Sequence, residues 1–296
     1  MVRMHDAQID SDEELVARLL HDQFPEWAGL PIRRLPSDGT DNAMYRLGDE
    51  LVARLPLIDW AVPQIEKERV WLPLLAPHLP MTIPEQLATG EPAHGYPWPW
   101  AVYRWIDGQN AHPDHLADPE RAAVELAGFV HALRALRFDD PPVSPRAKNL
   151  AADDRGIRDA IDAVRDEFDA RTLLEIWDAA LAEPPWDGPP VLVHADLSDG
   201  NVLQRNGELC AVIDFSAFGF GEPANDLDPA WGMFSGAGRR AFRDALAPDD
   251  ATWTRARGWA VKCVYGLVYY RDTNPGIVAR CRRRLAALLE EYESDR

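Results

Sequence analysis

The chain is 296 residues long, 46% hydrophobic and carries a formal net charge of −18. That acidity argues against nucleic acid or an anionic membrane surface as partners and suits a cationic small molecule. Three scattered cysteines (Cys210, Cys263 and Cys281) give neither zinc spacing nor a disulfide framework, and the acidic N-terminus with Asp6, Asp10 and Asp12 is unlike a signal peptide, so a reducing cytoplasm is expected.

Taken in chain order, the first pattern is Asp12, Glu13 and Glu14 followed by Leu15, Val16, Leu19 and Leu20. An acidic first turn with this apolar spacing predicts a helix ending before Pro25. Residues 35–45 form a polar turn with one glycine, Gly39, and residues 51–56 predict a strand carrying one cation, Arg54. Residues 64–75 predict a helix with Ile65, Leu72 and Leu75 inward. Prolines dominate residues 76–99, which predict loops around a short strand near 86–89, and residues 100–108 read as a strand running into a linker. Helical spacing then covers 119–136 and 153–181; the second stretch exposes Asp159, Asp162, Asp166, Glu167 and Asp169. Further helices are predicted within 231–234, 241–246, 253–270 and 278–292. The last carries Arg280, Arg282, Arg283 and Arg284, read as a solvated face.

The stretch from 191 to 215 is where polar residues gather. Short apolar runs at 191–193, 202–203 and 211–213 predict buried strands, and Asn206-Gly207 predicts a hairpin turn between the second and third. A hairpin this small brings the loop before it and the residue after it to the same end. Asp196, Asn201 and Asp214 are therefore expected to converge. One carboxylate to accept the proton of an attacking hydroxyl, plus two hard oxygen donors for magnesium, suit phosphoryl transfer from a nucleotide. His194 would brace the loop from behind. A calcium loop is the rival reading, but the EF-hand spacing and its terminal glutamate are missing.

His194-x-Asp196-x-x-x-x-Asn201, followed by Ile213-Asp214-Phe215, resembles the catalytic and metal-binding motifs of the aminoglycoside phosphotransferases and their macrolide-kinase relatives. The resemblance runs from about residue 30 to about residue 260 and includes Gly219 and Asp226-Leu227; Gly219, Gly221 and Pro223 predict an abrupt turn before the helix that Asp226-Leu227 opens. It implies an α+β, bilobal protein-kinase-like fold: a small antiparallel-sheet lobe over 1–103, a hinge at 104–108, and a mostly helical lobe over 109–296. It implies Asp196 and His194 as catalytic residues, with Asn201 and Asp214 as ligands of Mg2+. It places Ser37, Gly39 and Asn42 in a turn that covers the phosphates of ATP or GTP. Arg54, where relatives usually carry lysine, would hold those phosphates, oriented by Glu68, with Glu66 as the fallback partner. The base would meet the backbone from Arg104 to Ile106. Tyr103 would guard the back of its pocket, so that GTP serves at least as well as ATP. Asp199 is expected on the substrate side, and Asp226 is expected to cap backbone amides near the catalytic loop. Ser216 replaces the glycine of protein kinases.

The expected activity is transfer of a nucleotide γ-phosphate to a hydroxyl of a cationic, aminoglycoside-like antibiotic. A macrolide, choline, homoserine or a sugar are alternative acceptors, and a nucleotide-binding pseudokinase is the alternative without turnover. A protein kinase is not expected, because the short path from Asp214 to Asp226 leaves no room for a long activation segment.

Overall fold

The computed structural model describes residues 8–36, 39, 41–147 and 149–295. The chain divides into two compact units, one within residues 1–77 and 82–107, the other within 78–81 and 108–296.

The first unit is built on a five-stranded antiparallel sheet. Its strands are β1 (Ile32–Arg34), β2 (Asn42–Leu47), β3 (Leu51–Pro56), β4 (Gln86–Gly90) and β5 (Trp100–Arg104), in the order β1-β2-β3-β5-β4. β2 alternates buried and half-buried positions, whereas every residue of β3, the middle strand, is buried. Arg54 therefore lies in the interior. Helix α1 (Glu13–Gln23) starts at Asp12, whose carboxylate accepts the Leu15 N–H at 2.8 Å. It packs Leu15, Val16, Leu19 and Leu20 into a core with Tyr45, Leu47, Leu55 and Trp100. Helix α2 (Val62–Leu75) buries Ile65, Glu68, Leu72 and Leu75. These lie on one side of a 3.6-residue helix, so Glu68 shares the inward stripe with the apolar residues.

The second unit is largely helical. Three short strands, β6 (Gln109–Asn110), β8 (Val202–Arg205) and β9 (Glu208–Val212), form one sheet, and β7 (Val191–Val193) pairs antiparallel with β10 (Gly219–Gly221). The helices are α3 (Pro119–Ala135), α4 (Asp154–Ala163), α5 (Ala170–Ala182), α6 (Pro229–Gly232), α7 (Gly236–Leu246), α8 (Asp250–Val261), α9 (Val264–Tyr269) and α10 (Pro275–Ser294). α3 packs on α7, and α5 on α8. The β8–β9 turn has positive φ at both Asn206 (56°) and Gly207 (83°), the type I′ geometry that matches strand twist. Among the described residues no helix is long and apolar enough to cross a membrane.

Three elements differ from expectation. The helical stretch 153–181 is two helices, because Asp169 caps α5 by accepting the N–H groups of Arg171 and Thr172 at 3.0 and 3.2 Å. The Gly219 to Gly221 segment, expected as a turn, is strand β10. Gly219 (φ 156°) is needed there, since a Cβ would lie 2.5 Å from Pro142 O and 2.6 Å from Ser144 N. The α10 arginines do not form a solvated face: Arg283 and Arg284 bond to Asp199 and Asp228, and only Arg282, paired with Glu167, lies outside.

One buried carboxylate ties the helices together. Glu291 of α10 is 7% exposed and accepts from Trp231 Nε1 (3.2 Å), Trp253 Nε1 (3.1 Å) and Arg257 Nε and Nη2 (3.0 and 2.6 Å). Glu291→Ala strands two indole donors and a guanidinium. It should lower unfolding free energy by about 3–5 kcal/mol, read as a lower urea midpoint at unchanged slope.

Candidate active site

The loop that carries Asp196 is fixed from below by Asp226, which is fully buried. Its carboxylate accepts His194 N–H at 3.1 Å and Ala195 N–H at 2.7 Å. Ala195 takes a left-handed φ of 63°, a conformation costly for a residue with a Cβ and held here by those bonds. Asp196 follows, with 27% of its side chain exposed. Its Oδ2 accepts Asn201 Nδ2 at 3.1 Å, and the same nitrogen donates to Asp196 O at 2.9 Å.

Those two bonds use the amide nitrogen of Asn201 and leave its Oδ1 as the group that can face a metal. Ile213 N–H donates to Asn201 O at 2.8 Å, which sets Asp214 directly beside Asn201. Asp214 has a left-handed φ of 62°, and its carboxylate accepts the Ser216 N–H at 3.2 Å. An amide oxygen and a carboxylate suit magnesium, which completes its octahedral shell with phosphates and waters.

His194 sits behind the loop, where it was expected to brace it. It is buried; its Nδ1 accepts Asp196 N–H at 3.3 Å, so Nε2 carries the proton and donates to Ile213 O at 3.1 Å. With both nitrogens engaged by backbone, the ring braces the loop and does not relay protons from substrate. Asp199 is a correction. It is 3% exposed, and its Oδ2 accepts Arg283 Nη2 at 2.7 Å while Arg280 Nε lies 3.8 Å from Oδ1. Buried among guanidinium groups, it neutralises charge under the loop and is not presented to a substrate. The acids of α4 and its neighbours are likewise occupied by surface pairs: Asp159 with Arg155, Asp162 with Arg165 and Glu167 with Arg282.

In the first unit, Arg54 Nη1 donates to Glu68 Oε1 at 2.7 Å and Nη2 to Gln64 Oε1 at 2.8 Å. The other oxygen of Glu68 accepts the Tyr103 hydroxyl at 2.6 Å. Burial and the Glu68 charge push the Tyr103 phenol well above its ordinary value, so it stays a donor. Glu66, the fallback partner, pairs outward with Arg69. The amides of Arg104 and Trp105 are taken by Glu85 O and Glu50 O at 2.9 and 2.7 Å, so Arg104 is corrected as a donor to the base. Among the described residues the Ile106 amide has no backbone partner. Asn42 opens β2, and Gly39 lies in the exposed loop before it. Ser37 lies outside the described residues.

Three residues with partners among the expected site residues or their neighbours carried no sequence signal. Gln64 supports Arg54. Arg146 Nη1 donates to Asp196 Oδ1 at 2.6 Å. Asp228, on the residue before α6, pairs with Arg284 at 2.8 Å. Burial pushes the Asp228 carboxyl up to about 6, with Arg284 opposing the shift and Asp199 and Asp196 adding to it.

The chain belongs to the phosphotransferase enzyme family, whose model matches residues 32–259. No curated protein matches it. Among solved structures it resembles the GDP and kanamycin complex of APH(2")-IIia at 21% identity and a TM-score of 0.70, over 95% of this chain and 98% of that one. It is similar to the ADP-bound aminoglycoside phosphotransferase APH(2'')-Ib at 19% identity and a TM-score of 0.62, over 95% and 99%. It is also similar to the macrolide 2'-phosphotransferase MphH apoenzyme from Brachybacterium faecium at 24% identity and a TM-score of 0.59, over 94% and 98%. At these identities the likeness establishes the kinase-like α+β fold.

Two measurements probe this scaffold. Asp226→Ala leaves two buried amide donors unpaired and should destabilise by about 2–5 kcal/mol, seen in chemical denaturation together with faster amide exchange at Ala195. For Asp228 the folded value, about 6, lies above the ordinary 3.8. Its stabilising contribution is full below about 4 and is lost as pH rises through about 6. A carboxyl-carbon NMR titration should place its midpoint near 6, and Asp228→Asn should flatten that part of the stability profile.

Proposed function

We propose that this protein transfers the γ-phosphate of ATP or GTP to a hydroxyl of an aminoglycoside-like antibiotic. The observation that carries the reading is the convergence of Asp196, Asn201 and Asp214 on one loop and hairpin end, joined by the Asn201–Asp196 and Ile213–Asn201 bonds. The acceptor hydroxyl hydrogen-bonds the Asp196 carboxylate. As its oxygen attacks the γ-phosphorus, its proton passes to Asp196 and the bond to the β,γ-bridging oxygen breaks, leaving the nucleoside diphosphate. Asn201 Oδ1 and the Asp214 carboxylate would hold magnesium, which when bound neutralises phosphate charge. Arg54, held in orientation by Glu68 and Gln64, grips phosphate oxygens through its planar fork. Ile106 offers its amide to the base, and Tyr103, tied to Glu68, limits the depth of the pocket, which favours GTP.

The chain's acidity and the kanamycin-bound relative support an aminoglycoside-like acceptor. A macrolide is the second reading, supported by the likeness to a macrolide phosphotransferase. The deciding experiment incubates the protein with magnesium, ATP or GTP, and a panel of aminoglycosides, tuberactinomycin-like peptides and macrolides. Mass spectrometry should show a phosphate-sized gain on one class, absent with Asp196→Ala, and GTP should compete at least as well as ATP. Nucleotide binding with no Asp196-dependent turnover on any compound, water included, would mark a pseudokinase instead.

A further inference from the structure

The loop between the proposed base and the first proposed metal ligand, Leu197-Ser198-Asp199-Gly200, carries no cation. Phosphoryl transfer develops negative charge on the moving group, next to a base that is itself an anion. Enzymes of this chemistry place a lysine or arginine there. The structure brings one from 50 residues upstream. Arg146 Nη1 donates to Asp196 Oδ1 at 2.6 Å and to Ala195 O at 3.1 Å. Its side chain is 49% exposed, so the guanidinium keeps contact with solvent while it bonds the carboxylate.

The placement is built. Arg146 N–H donates to Ser144 Oγ at 3.1 Å, and that hydroxyl donates to Ala217 O at 2.7 Å. Ser144 N–H bonds Phe220 O at 2.9 Å, and Phe220 N–H returns to Pro142 O at 2.7 Å. Close approach of Gly219 to Pro142 O and Ser144 N locks the two segments in contact. Arg146 thus rides on the backbone that immediately follows Asp214. A surface arginine that had drifted onto the nearest carboxylate would not need this suture. Of the α10 guanidiniums, Arg283 and Arg284 are bound to Asp199 and Asp228, Arg282 pairs with Glu167, and Arg280 lies 3.8 Å from Asp199, whereas Arg146 bonds Asp196 itself.

We propose that Arg146 is a further catalytic residue, a guanidinium supplied in cis that contacts the transferring phosphoryl group while holding one oxygen of Asp196 in place. The assignment rests on the kinase reading above. A planar fork can bond a carboxylate through one nitrogen and a phosphoryl oxygen through another. Because the charge it meets is largest in the transition state, its loss should appear in turnover and spare nucleotide binding.

The test uses the full chain with MgATP and MgGTP, water serving as acceptor, and compares wild type with Arg146→Gln, Arg146→Lys and Asp196→Asn. Expected for Arg146→Gln is a fall in turnover of about a hundredfold or more with unchanged affinity for MgADP. Weaker binding of the ADP–aluminium fluoride complex, an intermediate rate for Arg146→Lys, and partial rescue of Arg146→Gln but not Asp196→Asn by added guanidinium should accompany it. Asp196-dependent turnover that is unaffected by Arg146→Gln, or raised by it as for an inhibitory latch, overturns this role alone. So does a loss of turnover matched by weaker MgADP binding and a lower melting temperature in both Arg146 variants. Wild-type protein with no Asp196-dependent turnover on water or on any compound of the antibiotic panel overturns the kinase reading, and this role with it.

Discussion

The second unit depends on one buried carboxylate. Asp226 is closed off from solvent, and the amide donors of His194 and Ala195 replace the water it gave up. Those bonds hold Ala195 in a left-handed conformation, and the loop that carries Asp196 starts from that turn. His194, pinned at the same place, bonds Ile213 O, and the following links reach Asn201 and Asp214. A buried anion unpaired with donors would be costly, so the loop amides and the carboxylate stabilise each other. Arg134, held low by burial and raised by the Asp226 charge, adds a cation at the same spot.

Local charge around the loop runs against the charge of the whole chain. The net value is −18, yet the acids nearest the loop are met by guanidinium groups: Asp196 by Arg146, Asp199 by Arg283 and Arg280, Asp228 by Arg284. Three of these arginines lie on α10, at positions 280, 283 and 284. Spacings of three and four place them on one helix face. That face is turned inward, where desolvation makes each pairing stronger than it would be at the surface.

In the first unit, Glu68 serves two masters through its two oxygens. One orients Arg54, the other accepts from Tyr103. The cation proposed for phosphate and the residue proposed to limit the base pocket thus share a single buried anchor. Tyr103 and Arg54 thus meet at the two oxygens of Glu68, on neighbouring strands of the sheet.

Much of this was legible in the sequence because it is local. Asp196, Asn201 and Asp214 sit at short separations around a hairpin whose Asn-Gly turn announces itself, and strand and helix periods marked β3, α2 and α3. The amide-capping role of Asp226 and the Arg54–Glu68 pair were likewise anticipated, the first from its place after a glycine-rich turn and the second from the family resemblance. What the sequence could not determine was which side of an element faces inward when both sides carry charge. The arginines of α10 and the acid Asp199 read as exposed because isolated charges usually are, and only tertiary packing, by pairing them, made burial affordable. The amides of Arg104 and Trp105 lost their expected role to backbone partners brought in by the fold. Arg146 was silent for the simplest reason: a contact across 50 residues leaves no periodicity, and only the suture of the 142–146 segment to the backbone after Asp214 brings its guanidinium to Asp196.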